Sequence, residues 1–167
     1  MGRYHFATQE AFSDIDNIEN AIKRTAPQSP VHNMQTGVGP RIIEFYIEWI
    51  NRACPAGEDS NTYGETVTAD VAVLLAMLER VNLGKTVAES KLTELTDQFV
   101  ATNGDREAML ALIVRKDREA KVIELAEALA SHYDLAPEHA VEVFQFMIGV
   151  TVDIEVDYLR LRLSQLG

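Results

Sequence analysis

Apolar residues recur along most of this chain at steps of three and four, the period of a helix. Nowhere do they alternate over a run long enough to suggest a sheet. Residues 8–25 (TQEAFSDIDNIENAIKRT) keep the helical period weakly and predict a first, rather polar helix. APQSPVHNMQTGVGP, residues 26–40, gathers Pro, Gly, Ser and Asn and reads as a loop. Pro40 then suits the opening of a helix over 41–53 (RIIEFYIEWINRA). That segment carries two apolar stripes, Ile42, Phe45, Trp49 and Ile43, Ile47, Ile50, and so predicts burial on more than one side. Pro55 ends it, and PAGEDSNTYGET reads as a second loop.

Three long helical segments follow. The first runs from about Thr68 to Thr102 and stops at Asn103-Gly104. Asp105 can cap the second, which reaches about Tyr133. Leu135-Ala136-Pro137 makes a short connection, with Pro137 suited to the first turn of a last helix over 137–165. Long helices joined by tight turns pack antiparallel. The pattern therefore predicts an all-α fold, a three-helix antiparallel bundle with additional N-terminal helices. It reads as one domain over 1–167, with N-terminal helices and loops to residue 65 and the helical core from 66.

Composition narrows the function. With 167 residues and 47% apolar content, the chain has material for one packed core and is no disordered segment. A formal net charge of −11 argues against nucleic acid or an anionic membrane as partner. No apolar run approaches a membrane span, and the start MGRYHFATQEAF lacks the apolar middle of a signal peptide. Cys54 is the only cysteine, so no internal disulfide forms, and the expected compartment is the cytoplasm. The four histidines show no metal-ligand spacing, so no metal is expected.

Against that acidic background a few cations stand out. Arg80 and Lys91 are 11 residues apart, about three full helical turns, and share one face with Gly84 and Val87. Thr151 and Glu155 lie one turn apart beside Ile148 and Val152, 33 and 37 residues after Arg118. The sequence repeats DREA at 105 and 117, so Arg106 and Arg118 compete for the same role. Counting along straight hairpin arms puts Arg118 level with Val152 and Arg106 about 15 Å from that level, which favours Arg118. Three cations, a hydroxyl and a carboxyl among small apolar residues suit a small dianion. Each has a plainer reading too: a lone helical Arg, Lys or Glu is usually solvated, and a lone Thr in a helix often bonds back to a carbonyl.

From about Ala69 to Leu159 the chain resembles the all-helical chorismate mutases of the AroQ class. LLAMLERVNLGKTVAESK matches the first-helix pattern through Arg80, Val87 and Lys91, Arg118-Glu119 matches the second segment, and Phe144, Ile148, Thr151 and Glu155 match the last. The resemblance implies rearrangement of chorismate to prephenate without a cofactor. In that reading Arg80 and Arg118 clamp carboxylates, Lys91 and Glu155 face the ether oxygen, and Glu119 holds the ring hydroxyl. Val87, Ile148, Thr151 and Val152 complete the substrate's surroundings.

Two departures matter. Lys91 and Arg118 are 27 residues apart, which implies longer hairpin arms than the family usually has. Tyr63 stands where the small bacterial dimers carry an arginine given to the neighbouring subunit, and Arg41 or Arg52 is the replacement to expect. The family's habit of pairing long first helices, with the apolar RIIEFYIEWI segment, implies a homodimer. The same cations would also serve an isochorismate pyruvate lyase or a relative acting on aminochorismate. The alternative from another class is a helical binding or regulatory module. Glu155 must be protonated to donate to an ether oxygen; apolar neighbours raise its pKa and Lys91 and Arg118 lower it, so the net direction is open at this point.

Overall fold

The computed structural model describes residues 4–6, 22–24, 30–54, 56–58 and 61–166. Two three-residue strands, β1 (Tyr4–Phe6) and β2 (Ile22–Arg24), pair in parallel with Tyr4 opposite Ile22. A 3-10 turn at Pro30–Asn33 precedes α1 (Gly39–Ala53) and α2 (Tyr63–Glu94). Then come α3 (Thr96–Ala101), α4 (Arg106–Ile113), α5 (Lys116–His132) and α6 (Pro137–Leu166). The fold is all-α, and no strand interrupts the three spans where long helices are expected. The chain divides into two compact units, residues 1–79 and 80–167.

The expected polar helix over 8–25 is corrected at its end, where residues 22–24 form β2; residues 8–21 and 25 lie outside the described residues. So polar a run offers a helix little apolar surface to bury, and backbone pairing with β1 supplies hydrogen bonds instead.

In the first unit, α1 begins with Pro40 in its first turn, where the missing N–H costs nothing. Ile42 and Tyr46 are buried on one side, whereas Ile47 of the second stripe is exposed. The Tyr46 hydroxyl donates to Asp70 Oδ1 at 2.6 Å and ties α1 to the first half of α2. Burial first, and Asp70 after it, raise the Tyr46 pKa. Trp49 stacks on Tyr46 with ring centroids 6.1 Å apart. Cys54 is exposed at the C-cap of α1.

α2 starts at Tyr63, inside the stretch expected to be loop. Glu65 sits in its first turn, complementing the helix dipole, and the Thr68 hydroxyl bonds back to Gly64 O. Its far end also departs from expectation, because the helix breaks at Leu95 rather than running on to Thr102. The Thr96 hydroxyl takes the Leu92 carbonyl at 2.7 Å, a back-bond of the kind that bends helices. The second arm, expected unbroken from 105 to about 133, is interrupted between α4 and α5 by Val114 in extended backbone and by Arg115, which is also non-helical.

The turns match their sequence signals. Asn103 and Gly104 both have positive φ, and the Asp105 N–H returns to Thr102 O at 2.9 Å, as in a type I′ turn. The Asp105 carboxylate caps α4 by accepting from the Ala108 N–H at 2.8 Å. α5 ends in a Schellman motif: Asp134 has φ 55°, Leu135 N–H reaches Ala130 O and Asp134 N–H reaches Ser131 O. The core of the second unit takes Val81, Ala88 and Leu92 from α2, Phe99 from α3, Met109 and Ile113 from α4, Ala126 and Ala130 from α5, and Ile154, Tyr158 and Leu159 from α6. Each large apolar side chain buried there contributes roughly 1.5–3 kcal/mol relative to exposure.

α2 and α6 approach closely at one glycine. A Cβ on Gly84 would lie 3.0 Å from Thr151 Cγ2 and 3.1 Å from Thr151 O. Farther along both helices Glu89 meets Tyr158, so the numbering rises together and α2 and α6 run parallel.

Candidate active site

Lys91 and Glu155, 64 residues apart in sequence, meet across α2 and α6. Lys91 Nζ donates to Glu155 Oε2 at 2.8 Å and to the Ile113 carbonyl at 3.0 Å. That carbonyl is accessible because of the break between α4 and α5. Around it Val114 N–H bonds Leu110 O, while Arg118 and Glu119 N–H both bond Arg115 O, which leaves Ile113 O to the lysine.

Glu155 is 7% exposed, the one charged residue in the buried class among the described residues. Burial raises its pKa above the ordinary carboxylate range, and the negative charge of Glu119 adds to the rise. Lys91 and Arg80 pull the other way without cancelling it. The direction left open by the sequence is therefore upward. The four groups share one electrostatic neighbourhood although they come from α2, α5 and α6.

The remaining expected residues fall around this pair. Arg80 is exposed on α2, three turns before Lys91. Val87 is 42% exposed on the same helix, with Gly84 buried against Thr151. Ile148, Thr151 and Val152 are half-buried on α6. The Thr151 hydroxyl donates to Met147 O at 2.7 Å, the plainer of its two readings, and keeps its lone pairs for a donor. Glu119 is half-buried and Arg118 exposed in the first turn of α5. Arg41 and Arg52 are exposed near the two ends of α1, within the first unit.

One count from the sequence is corrected. Arg106, placed about 15 Å from the level of Val152 by straight arms, in fact pairs with Asp153 at 2.5 Å. Both arms are broken, so residue counts do not translate into height along α6. The ion pair gives Arg106 a role joining α4 to α6 in place of the site role considered for it.

A second network lies beyond the predicted residues. Glu89 accepts from the Tyr158 hydroxyl at 2.7 Å and from Arg162 Nε and Nη2 at 3.0 and 3.2 Å. Thr151, Glu155, Tyr158 and Arg162 continue one stripe of α6 at steps of four, three and four. That spacing is visible in the sequence, but no motif singles it out. Hydrogen bonding from Arg162 lowers the Glu89 pKa, and burial with the bond to Glu89 raises that of Tyr158.

Among the described residues, no helix is long and apolar enough to cross a membrane. Nor do three His, Cys, Asp or Glu side chains gather there as a metal-binding group.

Comparison with known proteins agrees with the resemblance. A chorismate mutase from Emericella nidulans is 32% identical over 157 residues, covering 80% of this chain and 59% of its own. One from Trichoderma parareesei is 30% identical with the same coverage. A maize protein named "Chorismate mutase 2, cytosolic" is 26% identical over 147 residues, covering 76% of this chain and 58% of its own. The chain thus spans about three-fifths of the length of these relatives. No solved structure matches it significantly. The chorismate mutase type II family profile matches residues 62–156, a stretch that holds Arg80, Lys91, Arg118, Glu119, Thr151 and Glu155. More than half the chain is matched, and the chain belongs to the chorismate mutase type II family.

Proposed function

We propose that this chain rearranges chorismate to prephenate, with Lys91 and Glu155 as the catalytic pair. The observation that carries the reading is the 2.8 Å contact between them in a nearly closed setting, at the positions the family motif assigns. The reaction moves bonds within one molecule, so the protein must hold a compact conformer and stabilise charge that develops on the ether oxygen. An ammonium has three N–H donors; Glu155 and Ile113 O take two. The third is the one for the ether oxygen. Glu155, with its raised pKa, adds a second donor once protonated, and in that state it gives up its claim on the lysine charge.

In the same reading Arg80 and Arg118 hold substrate carboxylates through their planar forks, and Glu119 accepts from the ring hydroxyl. Thr151 with Val87, Ile148 and Val152 lines the substrate's remaining surface. The active form is a homodimer in which Arg41 or Arg52 of the second copy supplies the further cation. The site needs no metal or cofactor. The cytoplasm is the compartment, in keeping with the maize relative, which is named cytosolic.

The test is to follow the loss of chorismate absorbance with the purified chain, and to run isochorismate beside it. Chorismate consumption yielding prephenate is the expected result. Pyruvate release from isochorismate alone would assign the scaffold to a lyase, and inertness toward both would leave a binding module.

A further inference from the structure

We infer that Glu89, Tyr158 and Arg162 form a clasp that positions Lys91 against Glu155 during turnover, an inference that rests on the reading above. In the resting protein the Lys91–Glu155 ion pair itself ties α2 to α6. That tie weakens in the reacting state. Glu155 then carries its proton toward the substrate's ether oxygen and can still accept from Lys91 through its other oxygen, but it no longer attracts the ammonium as a carboxylate does. Some other contact has to keep the two helices at the same separation and register.

Two contacts between α2 and α6 fall on either side of Glu155 along α6. On one side Gly84 lies against Thr151. That contact is steric, so it limits approach without resisting separation. On the other side Glu89 is held by three hydrogen bonds from α6, two of them from a guanidinium. Glu89 is two residues from Lys91, about 3 Å along the axis, and Tyr158 is three from Glu155, about 4.5 Å. Tyr158 is fully buried, and Arg162 is further fixed by donating to Gln165 Oε1 at 2.8 Å. The clasp is therefore anchored on both helices, next to the reacting pair, and needs neither substrate nor the ion pair to persist.

The variant that isolates it is Tyr158→Phe, which keeps the ring and removes the 2.7 Å bond; Glu89→Gln, which keeps shape and removes charge, is the second. Assayed well below its unfolding temperature, Tyr158→Phe is expected to lose about tenfold in kcat with KM within about twofold, since the geometry lost belongs to the transition state. Glu89→Gln is expected to lose less. The second readout is the titration of the Glu155 carboxyl, followed by carbon NMR. Glu155 faces Lys91 and Arg80 on α2 and Glu119 on α5. Loosening α2 would weaken chiefly the lysine, so the midpoint should move to higher pH in both variants. A fall in melting temperature with kcat and the Glu155 midpoint unchanged would make the network structural only and overturn the proposal. If the wild-type protein does not consume chorismate, the functional reading fails. The carboxyl titration still decides the clasp, because an unmoved midpoint in Tyr158→Phe refutes it without reference to any substrate.

Discussion

Adding one methyl group at Gly84 tests how the packing of α2 on α6 serves the site. The new Cβ would meet Thr151 Cγ2 at 3.0 Å and Thr151 O at 3.1 Å, where ordinary contact begins at 3.4 Å. Relief requires the helices to part by about 0.4 Å, since neither obstacle can step aside. Thr151 O is helix backbone, and the Thr151 side chain is fixed by its hydroxyl bond to Met147 O. Overpacking of this kind costs about 1–3 kcal/mol. Replacing Gly by Ala within a helix returns about 1 kcal/mol. The net expectation for Gly84→Ala is a loss of about 1 kcal/mol, a drop of about 0.5 M in the urea midpoint at a slope near 2 kcal/mol/M. The same displacement acts at Glu155, whose Cγ lies 3.5 Å from the added atom. A 1 Å error in a reacting geometry can cost about a hundredfold, so about 0.4 Å should lower kcat several-fold. Urea denaturation and chorismate turnover measure the two effects. Thr151→Ser added to Gly84→Ala should recover the part due to Cγ2 and leave the part due to the carbonyl. A Gly84→Ala protein as stable as the parent, with unchanged kcat, would refute the reasoning.

The other expectations concern single groups. Because the Glu155 pKa is raised, its protonated fraction is complete below the ordinary carboxylate range and is lost as pH rises through the raised value, so activity should fall across that window. Glu155→Gln carries a permanent N–H donor and should flatten the alkaline fall in a rate profile; a flat wild-type profile would remove Glu155 from the mechanism. Arg118→Ala should raise KM and lower kcat, together costing tenfold or more in kcat/KM (about 1.4 kcal/mol or more); unchanged kinetics would take Arg118 out of the substrate's surroundings. Asp105→Ala removes the cap on α4 and should lower stability by about 1 kcal/mol in urea denaturation, with no change expected if the Ala108 N–H finds water equally well.

What could be read in the sequence was whatever depends on neighbours along the chain. Asn103-Gly104, Asp105 and Pro137 mark their turns because positive φ, a capping carboxylate and a missing N–H are properties of single residues. Lys91 and Glu155 could be paired through motif spacing, and the structure brings them together. The breaks at Leu95 and at Val114–Arg115 carry no such mark. β2 likewise depends on a partner strand far off in sequence. Nor could spacing decide the direction of the Glu155 pKa, which depends on how fully that carboxyl is covered. The break after Ile113 shows why these omissions are connected. A helix continued through Val114 would have engaged the Ile113 carbonyl in its own ladder, and Lys91 would have lost its second acceptor. With Glu155 alone to hold it, the ammonium would follow that carboxylate wherever its rotamer led. With two acceptors on two different helices, the direction of the third N–H is fixed by geometry, and that direction is what the proposed chemistry needs. The irregularity hidden from a periodicity argument is thus the feature that orients Lys91.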